Sequence, residues 1–136
     1  MILHASSVAF GMGGALIFGQ SGAGKSALAL EMISRGAQMI ADDRTKIASR
    51  HGDLWASPVS RTRGLIEVRG VGILHCPTLE SARLVLVIDL DQEETDRLPP
   101  RRETCILNHA LPVIHARNHP GIAAAALLWL AHGRAQ

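Results

Sequence analysis

Apolar residues in this chain gather in short runs broken by glycine or polar residues, and they reach helical length only twice. Ile2 to Phe10 is apolar with small residues and predicts a strand, closed by a glycine turn at 11–14. Ala15-Leu16-Ile17-Phe18 predicts a buried strand, and Ala27 to Arg35 is a run of good helix formers stopped by Gly36. Ala37 to Ala41 reads as a second buried strand ending in Asp42-Asp43. Lys46 to Arg50 and Leu54 to Ser57 flank a turn at His51-Gly52-Asp53 and predict a β-hairpin. Pro58 to Gly64 reads as loop, Leu65 to Val68 as a short strand, and β-branched Arg83 to Leu90 as a longer one. The polar stretch from Gln92 to Arg102, with Pro99-Pro100 inside it, predicts an exposed and mobile loop. Pro120-Gly121 opens a final helix over about 122–133, apolar on most sides and therefore packed on the sheet. Two helices among many strands do not suit a regular βαβ sandwich. The pattern predicts an α/β fold with few helices and a mixed, mostly β core.

Composition narrows the function classes. A chain of 136 residues, 47% hydrophobic and 19% charged, predicts one globular domain over 1–136. Two Phe, two Trp and no Tyr leave the core to aliphatic residues. Net charge is +2, from 14 Lys+Arg against 12 Asp+Glu, which implies no general polyanion-binding surface. Arginines do cluster, at Arg61, Arg63 and Arg69 and again at Arg97, Arg101 and Arg102. Base stacking on single strands needs exposed aromatics, so nucleic acid is not an expected partner. Cys76 and Cys105 lack C-x-x-C spacing and read as two free thiols. The N-terminus has no basic n-region, and the longest apolar run, Ile122 to Ala131, is too short to cross a bilayer. The expectation is a soluble cytoplasmic protein without a membrane partner.

The strongest chemical signal lies between the 15–18 strand and the helix behind it. Gly19-Gln20-Ser21-Gly22-Ala23-Gly24-Lys25-Ser26 fits G-x-x-x-x-G-K-[ST], and strand, glycine loop and helix are the context that motif needs. Such glycines let backbone N–H groups face phosphate oxygens, and the helix N-terminus adds partial positive charge. Lys25 is positioned to reach the β- and γ-phosphates, and the Ser26 hydroxyl to ligate Mg²⁺. The expected ligand is a polyphosphate.

Phosphoryl transfer also needs a group that deprotonates or orients the nucleophile. Asp42-Asp43 closes an apolar strand seventeen residues after Lys25, and strand carboxyl ends lie near the phosphate loop in α/β arrangements. Two adjacent carboxylates there can divide metal binding and base chemistry. Asp89, closing Val85-Leu86-Val87-Ile88, has the ordinary Walker B pattern and competes for the metal. The segment alone does not separate the two. Cys105, His109, His115 and His119 match no usual zinc spacing and read as turn and surface residues.

Several of these segments together resemble the catalytic domain of HPr kinase/phosphorylase. His4 lies fifteen residues before Gly19, on the preceding strand, as in that family. Beside the glycine loop stand Ala41-Asp42-Asp43-Arg44 and the signature Gly64-Leu65-Ile66-Glu67-Val68-Arg69-Gly70-Val71-Gly72, so the motifs cover about residues 4–75. The resemblance implies a P-loop kinase fold like that of PEP carboxykinase, in a short form without the family's N-terminal domain. It implies transfer of the γ-phosphate of ATP, with Mg²⁺, to a serine of the phosphocarrier HPr, and phosphorolysis in reverse. By the same resemblance Asp42, helped by His4, is the proton acceptor, and Asp43 tunes it. Ser26 and Glu67 hold Mg²⁺, which displaces Asp89, and Arg97 is the mobile-loop arginine that steadies transferred charge. A homo-oligomer, up to a hexamer, is the implied assembly. Two other readings stand beside it: a P-loop small-molecule kinase with Arg97, Arg101 and Arg102 as a lid, and a non-catalytic ATP-binding sensor.

Overall fold

The computed structural model describes residues 1–61 and 64–136; Arg63 of the first arginine cluster lies outside them. Among the described residues, eleven strands and two helices run in the order β1 (Ile2–Leu3), β2 (Ser6–Phe10), β3 (Gly13–Phe18), α1 (Lys25–Ser34), β4 (Gln38–Ala41), β5 (Thr45–Arg50) and β6 (Asp53–Pro58). Then come β7 (Leu65–Val68), β8 (Gly72–His75), β9 (Ala82–Asp89), β10 (Glu103–Ile106), β11 (His109–His115) and α2 (Ile122–His132). Nine strands form one mixed sheet, with the path β1-β5-β6-β9-β3-β2-β4; β11 joins β9, and β10 pairs with β11. β7 and β8 make a separate hairpin. The expected mixed, strand-rich α/β architecture is what forms.

Strand direction sets the chemistry. β9 runs parallel to β3 and to β11, and β2 runs antiparallel to both β3 and β4. β3, β4, β9 and β11 therefore all end at one edge of the sheet, where the N-terminal end of β2 also lies. Everything discussed below as a site sits on that edge.

Two apolar clusters hold the layers. Ala15, Ile17, Leu86 and Ile88 pack against Leu28, Met32, Ala126 and Leu130 of the helices, while Leu16, Val87, Ile40, Ile47 and Leu54 fill the opposite face under β5 and β6. Residue alternation in β9 does not run straight through. Leu84 faces the second cluster and Leu86 the first, because the register with β3 slips between Gly14 and Ala15. One extra residue at a bulge reverses the faces. Helix α2 is held against the β2–β3 turn, where Met12 N donates to Leu130 O at 2.9 Å. A Cβ at Gly11 (φ +58°) would lie 2.5 Å from that same carbonyl oxygen, so only glycine lets turn and helix meet.

Several boundaries differ from the sequence reading. The strand expected over 2–10 is broken at His4-Ala5, since β1 pairs with β5 and β2 pairs with β3 and β4. The turn expected at 11–14 shrinks, because Gly13 and Gly14 join β3. β8 is exposed along its whole length, so no buried pattern marks it. The β10–β11 hairpin, on which Cys105, His109 and His115 sit, turns through Leu107 (φ +47°) and Asn108 (φ +63°). Pro112 argues against a strand there, yet pairing with β9 begins only at Val113, so no N–H is missed. Both cysteines are free, as expected. Among the described residues no helix is long and apolar enough to cross a membrane.

The 92–102 segment is largely exposed, as its composition predicts, and its ends are tied together. Arg102 grips Glu94 in a two-pronged pair, Nε to Oε1 at 2.7 Å and Nη2 to Oε2 at 2.9 Å. That hydrogen bonding, chiefly, holds the Glu94 carboxyl down at about 2 from an ordinary 4.5. A carboxylate whose folded pKa is depressed stabilises fully above the unfolded value and loses that stabilisation as pH falls through the folded one. The brace should therefore weaken between about pH 4.5 and 2. Urea unfolding of wild type and Glu94→Gln across that window checks this: the difference between them should shrink steadily toward the acid end.

Candidate active site

The 19–26 loop leaves β3 at the carboxyl edge and enters α1 directly. Gly24 caps the helix at φ +103°, a left-handed conformation in which any Cβ is strained although nothing crowds it. Ala23 N donates to Gln20 O at 2.9 Å, and Gln20 N donates to the Asp91 carboxylate at 3.0 Å, which pins the loop to the end of β9. Lys25 is buried and folds back over the loop, its Nζ donating to Gly19 O at 2.8 Å and Gln20 O at 3.1 Å.

The acidic pair sits next to it. Ser26 Oγ donates to Asp42 Oδ1 at 2.7 Å, and Ser6 Oγ donates to the same oxygen at 2.9 Å. Both donors use Oδ1, so Oδ2 keeps its lone pairs among the described residues. Asp43 adopts φ +68°, rare for a residue with a side chain, and its backbone N donates to Ser6 Oγ at 3.1 Å. His4 Nε2 lies 2.7 Å from Asp43 Oδ1, with both side chains about three-fifths exposed (62% and 61%). His4 thus touches Asp43, whereas the sequence reading placed its help on Asp42. The strand break at His4-Ala5 is what lifts the imidazole to this edge.

Ser6 escaped the sequence reading altogether. It is fully buried and joins the two acids, accepting from Asp43 N and donating to Asp42. Its only sequence signal is a position two residues beyond His4, which in a continuous strand would share its face. Ser6→Ala leaves a backbone N–H without its partner and removes one donor from Asp42. The expected cost is about 1–3 kcal/mol of stability, read by urea unfolding.

Glu67 extends from β7, beside buried Ile66, and lines a cavity of about 730 Å³ together with Lys25, Ser26, Asp42, Asp43 and Arg69. Its hairpin is outside the main sheet, so only the tertiary fold brings it here. Asp89 is engaged elsewhere: its Oδ1 accepts the Asp91 N–H at 2.9 Å, closing the turn after β9. Arg97 is exposed and lines neither this cavity nor the neighbouring one on the other side of the loop. Of the arginines read as a lid, Arg102 is committed to Glu94. Cys76 lies near the acids, and burial first, then the Asp42 charge, push its thiol up from the ordinary value, which leaves it a poor nucleophile.

The oxygen donors suit a hard cation. Ser26, Asp42, Asp43 and Glu67 share one cavity, and no cluster of three His, Cys, Asp or Glu among the described residues forms a protein-only cage. Mg²⁺ is commonly held by one or two carboxylates plus substrate phosphates, which is the kind of site these residues can complete.

Fold and loop define a class, an α/β domain on a mixed sheet with a glycine loop joining strand to helix at the carboxyl edge. The family model for the HPr Serine kinase C-terminal domain matches residues 1–131, and the chain belongs to that family. The HPr kinase/phosphorylase of Streptococcus thermophilus (strain ATCC BAA-491 / LMD-9) is 40% identical over 97 residues, covering 65% of this chain and 31% of that protein. The one from Clostridium tetani (strain Massachusetts / E88) is 42% identical over 91 residues, 62% of this chain and 30% of that protein. The chain spans about a third of the length of these relatives. The structure of the Hpr(Ser) kinase/phosphatase from Coxiella burnetii superposes with a TM-score of 0.79 at 28% identity, covering 96% of this chain and 87% of that one.

Proposed function

We propose that this chain is a protein-serine kinase domain that transfers the γ-phosphate of ATP to a serine of the phosphocarrier HPr. The observation that carries the reading is the Asp42 carboxylate hydrogen-bonded to Ser26, in one cavity with Lys25 and Glu67. That site lies on a chain whose relatives are named for acting on HPr. In the transfer, Asp42 Oδ2 takes the proton of the incoming serine hydroxyl. The serine oxygen forms its bond to the γ-phosphorus as the bond to the β-bridging oxygen breaks, and ADP leaves. Lys25 exchanges the two loop carbonyls for phosphate oxygens, and the loop N–H groups orient the chain of phosphates. Ser26 and Glu67 are the residues to hold Mg²⁺, which when bound adds positive charge across the phosphate oxygens. In the opposite sense, inorganic phosphate attacks phosphoserine, Asp42 returns its proton to the serine oxygen, and pyrophosphate forms. Asp43, held by His4, fixes the backbone turn that aims Asp42. Arg97 belongs to the reading as a group brought in by the 92–102 segment when HPr docks.

The test is purified protein with [γ-³²P]ATP and HPr. A labelled HPr band supports the proposal, label on a small molecule instead points to a small-molecule kinase, and ATP binding without transfer points to a sensor. Assembly into a homo-oligomer of up to six copies belongs to the same reading. The β7–β8 hairpin beside Glu67 exposes Val71 and Ile73 at 70% and 68%, an apolar tip suited to burial against another copy. Light scattering of the purified chain gives the count directly.

A further inference from the structure

A second cavity, of about 870 Å³, lies on the other side of the 19–26 loop from the acids. Ser21, Gly22, Gly24 and Ala27 line both cavities, so the two are halves of one cleft with the loop as its saddle. Their chemistry is divided. One half holds Lys25, Ser26, Asp42, Asp43 and Glu67, whereas the second half contains none of them and carries Glu31, Asp91 and Arg117 instead. Its walls come from two strand-to-helix connections side by side, β3 to α1 and β11 to α2, with Leu90 at the end of β9 between them. A crevice outside the carboxyl ends of parallel strands is where α/β folds take nucleotides.

The lining matches a flat, partly polar ring. Leu28, Leu90 and Ile122 supply an apolar wall, each buried to 9% exposure or less. Asn118 and His119 supply the polar edge, on a connection fixed by backbone bonds. Ala116 N donates to Asp89 O at 2.8 Å, Arg117 N to Gln92 O at 2.8 Å and His119 N to Ala116 O at 3.2 Å. Asn118 stands at φ +60°; one Nδ2 hydrogen reaches Glu93 Oε1 at 3.4 Å, and the second, with Oδ1, leaves a donor and an acceptor of the kind that reads an adenine edge bidentately. His119 Nδ1 accepts the Gly121 N–H at 3.1 Å, so in the neutral ring Nε2 carries the proton and is the free donor. Volume, apolar wall and a few fixed polar groups are the ordinary make-up of a small-molecule subsite.

The geometry points to this cavity as the nucleoside subsite of the phosphate donor, with Asn118 and His119 as the residues that select a purine base. The inference rests on the proposed use of a nucleoside triphosphate, and it orients that donor: base over the β11–α2 connection, γ-phosphate toward Asp42. The acceptor serine then enters from the Glu67 side, and the two substrates do not compete for space.

Calorimetric titration with Mg·ATP and with Mg·tripolyphosphate tests this on wild type, His119→Ala and Asn118→Gly. Glycine at 118 keeps the left-handed backbone while deleting the amide. Each variant should lose about tenfold in ATP affinity, the scale of one well-placed hydrogen bond, with tripolyphosphate affinity unchanged. Photolabelling of the wild type by 8-azido-ATP should fall on the peptide containing 117–122, an observation independent of either variant's folding. Equal losses for both ligands, unchanged ATP affinity, or label on the 64–72 segment would overturn the subsite. A wild type that binds tripolyphosphate as tightly as ATP also overturns it, leaving the phosphate site standing. Binding of neither ligand removes the polyphosphate reading itself, and the subsite with it.

Discussion

Asp42→Asn should lower kcat for phosphorylation of HPr by roughly 10²–10⁴-fold, the range of general-base contributions. Binding of Mg·ATP should survive largely intact. The substitution is conservative where structure is concerned, since an amide oxygen in place of Oδ1 can still accept from Ser6 and Ser26. It removes the basic lone pair on the other oxygen and puts an NH₂ there. Steady-state rates with saturating HPr, beside direct ATP titration, separate the two effects. Turnover close to wild type would show that the proton leaves by another route. A parallel loss of ATP affinity would mean that Asp42 acts mainly through the metal.

Leu86→Ala should cost about 2–5 kcal/mol, a large share of the roughly 5–15 kcal/mol that stabilises ordinary domains. Leu86 is fully buried on β9, the strand that β3, β6 and β11 all join. Its side chain fills the cluster between sheet and helices, so the surrounding strands cannot collapse into the space left behind. The urea midpoint should fall with little change in slope. A loss below about 1 kcal/mol would mean that the cluster repacks, against the close packing usual for such interiors.

The strand-rich α/β class was legible because short apolar runs between turn residues are a local signal. The glycine loop was legible for the same reason: strand, loop and helix are contiguous in the chain, so motif and context are read together. β10 and β11 were not, since Pro112 and two positive-φ turn residues disguise a hairpin whose pairing is decided by β9. Nor was the β9 bulge, because a register slip depends on the partner strand.

The site divides along the same line. Gly19 to Ser26 and the Asp42-Asp43 pair could be named from residue type and spacing, whereas Glu67 could be named only through the resemblance of the 64–72 signature to a known family. Which of them meet could not. Ser6 enters because β2 runs antiparallel to its neighbours and brings its N-terminal end to the edge where the other strands finish. His4 lands on Asp43 rather than Asp42 because the chain breaks between β1 and β2 and Asp43 turns left-handed. Asp89 carries an ordinary metal-ligand pattern, yet it closes its own turn, while Glu67 arrives from a hairpin outside the sheet. By itself the sequence determined the glycine loop between strand and helix, the Asp42-Asp43 pair at a strand end and the kind of fold, because those are matters of local periodicity and composition. The tertiary structure decided which oxygen faces which donor, because that depends on strand direction and register between segments far apart in the chain.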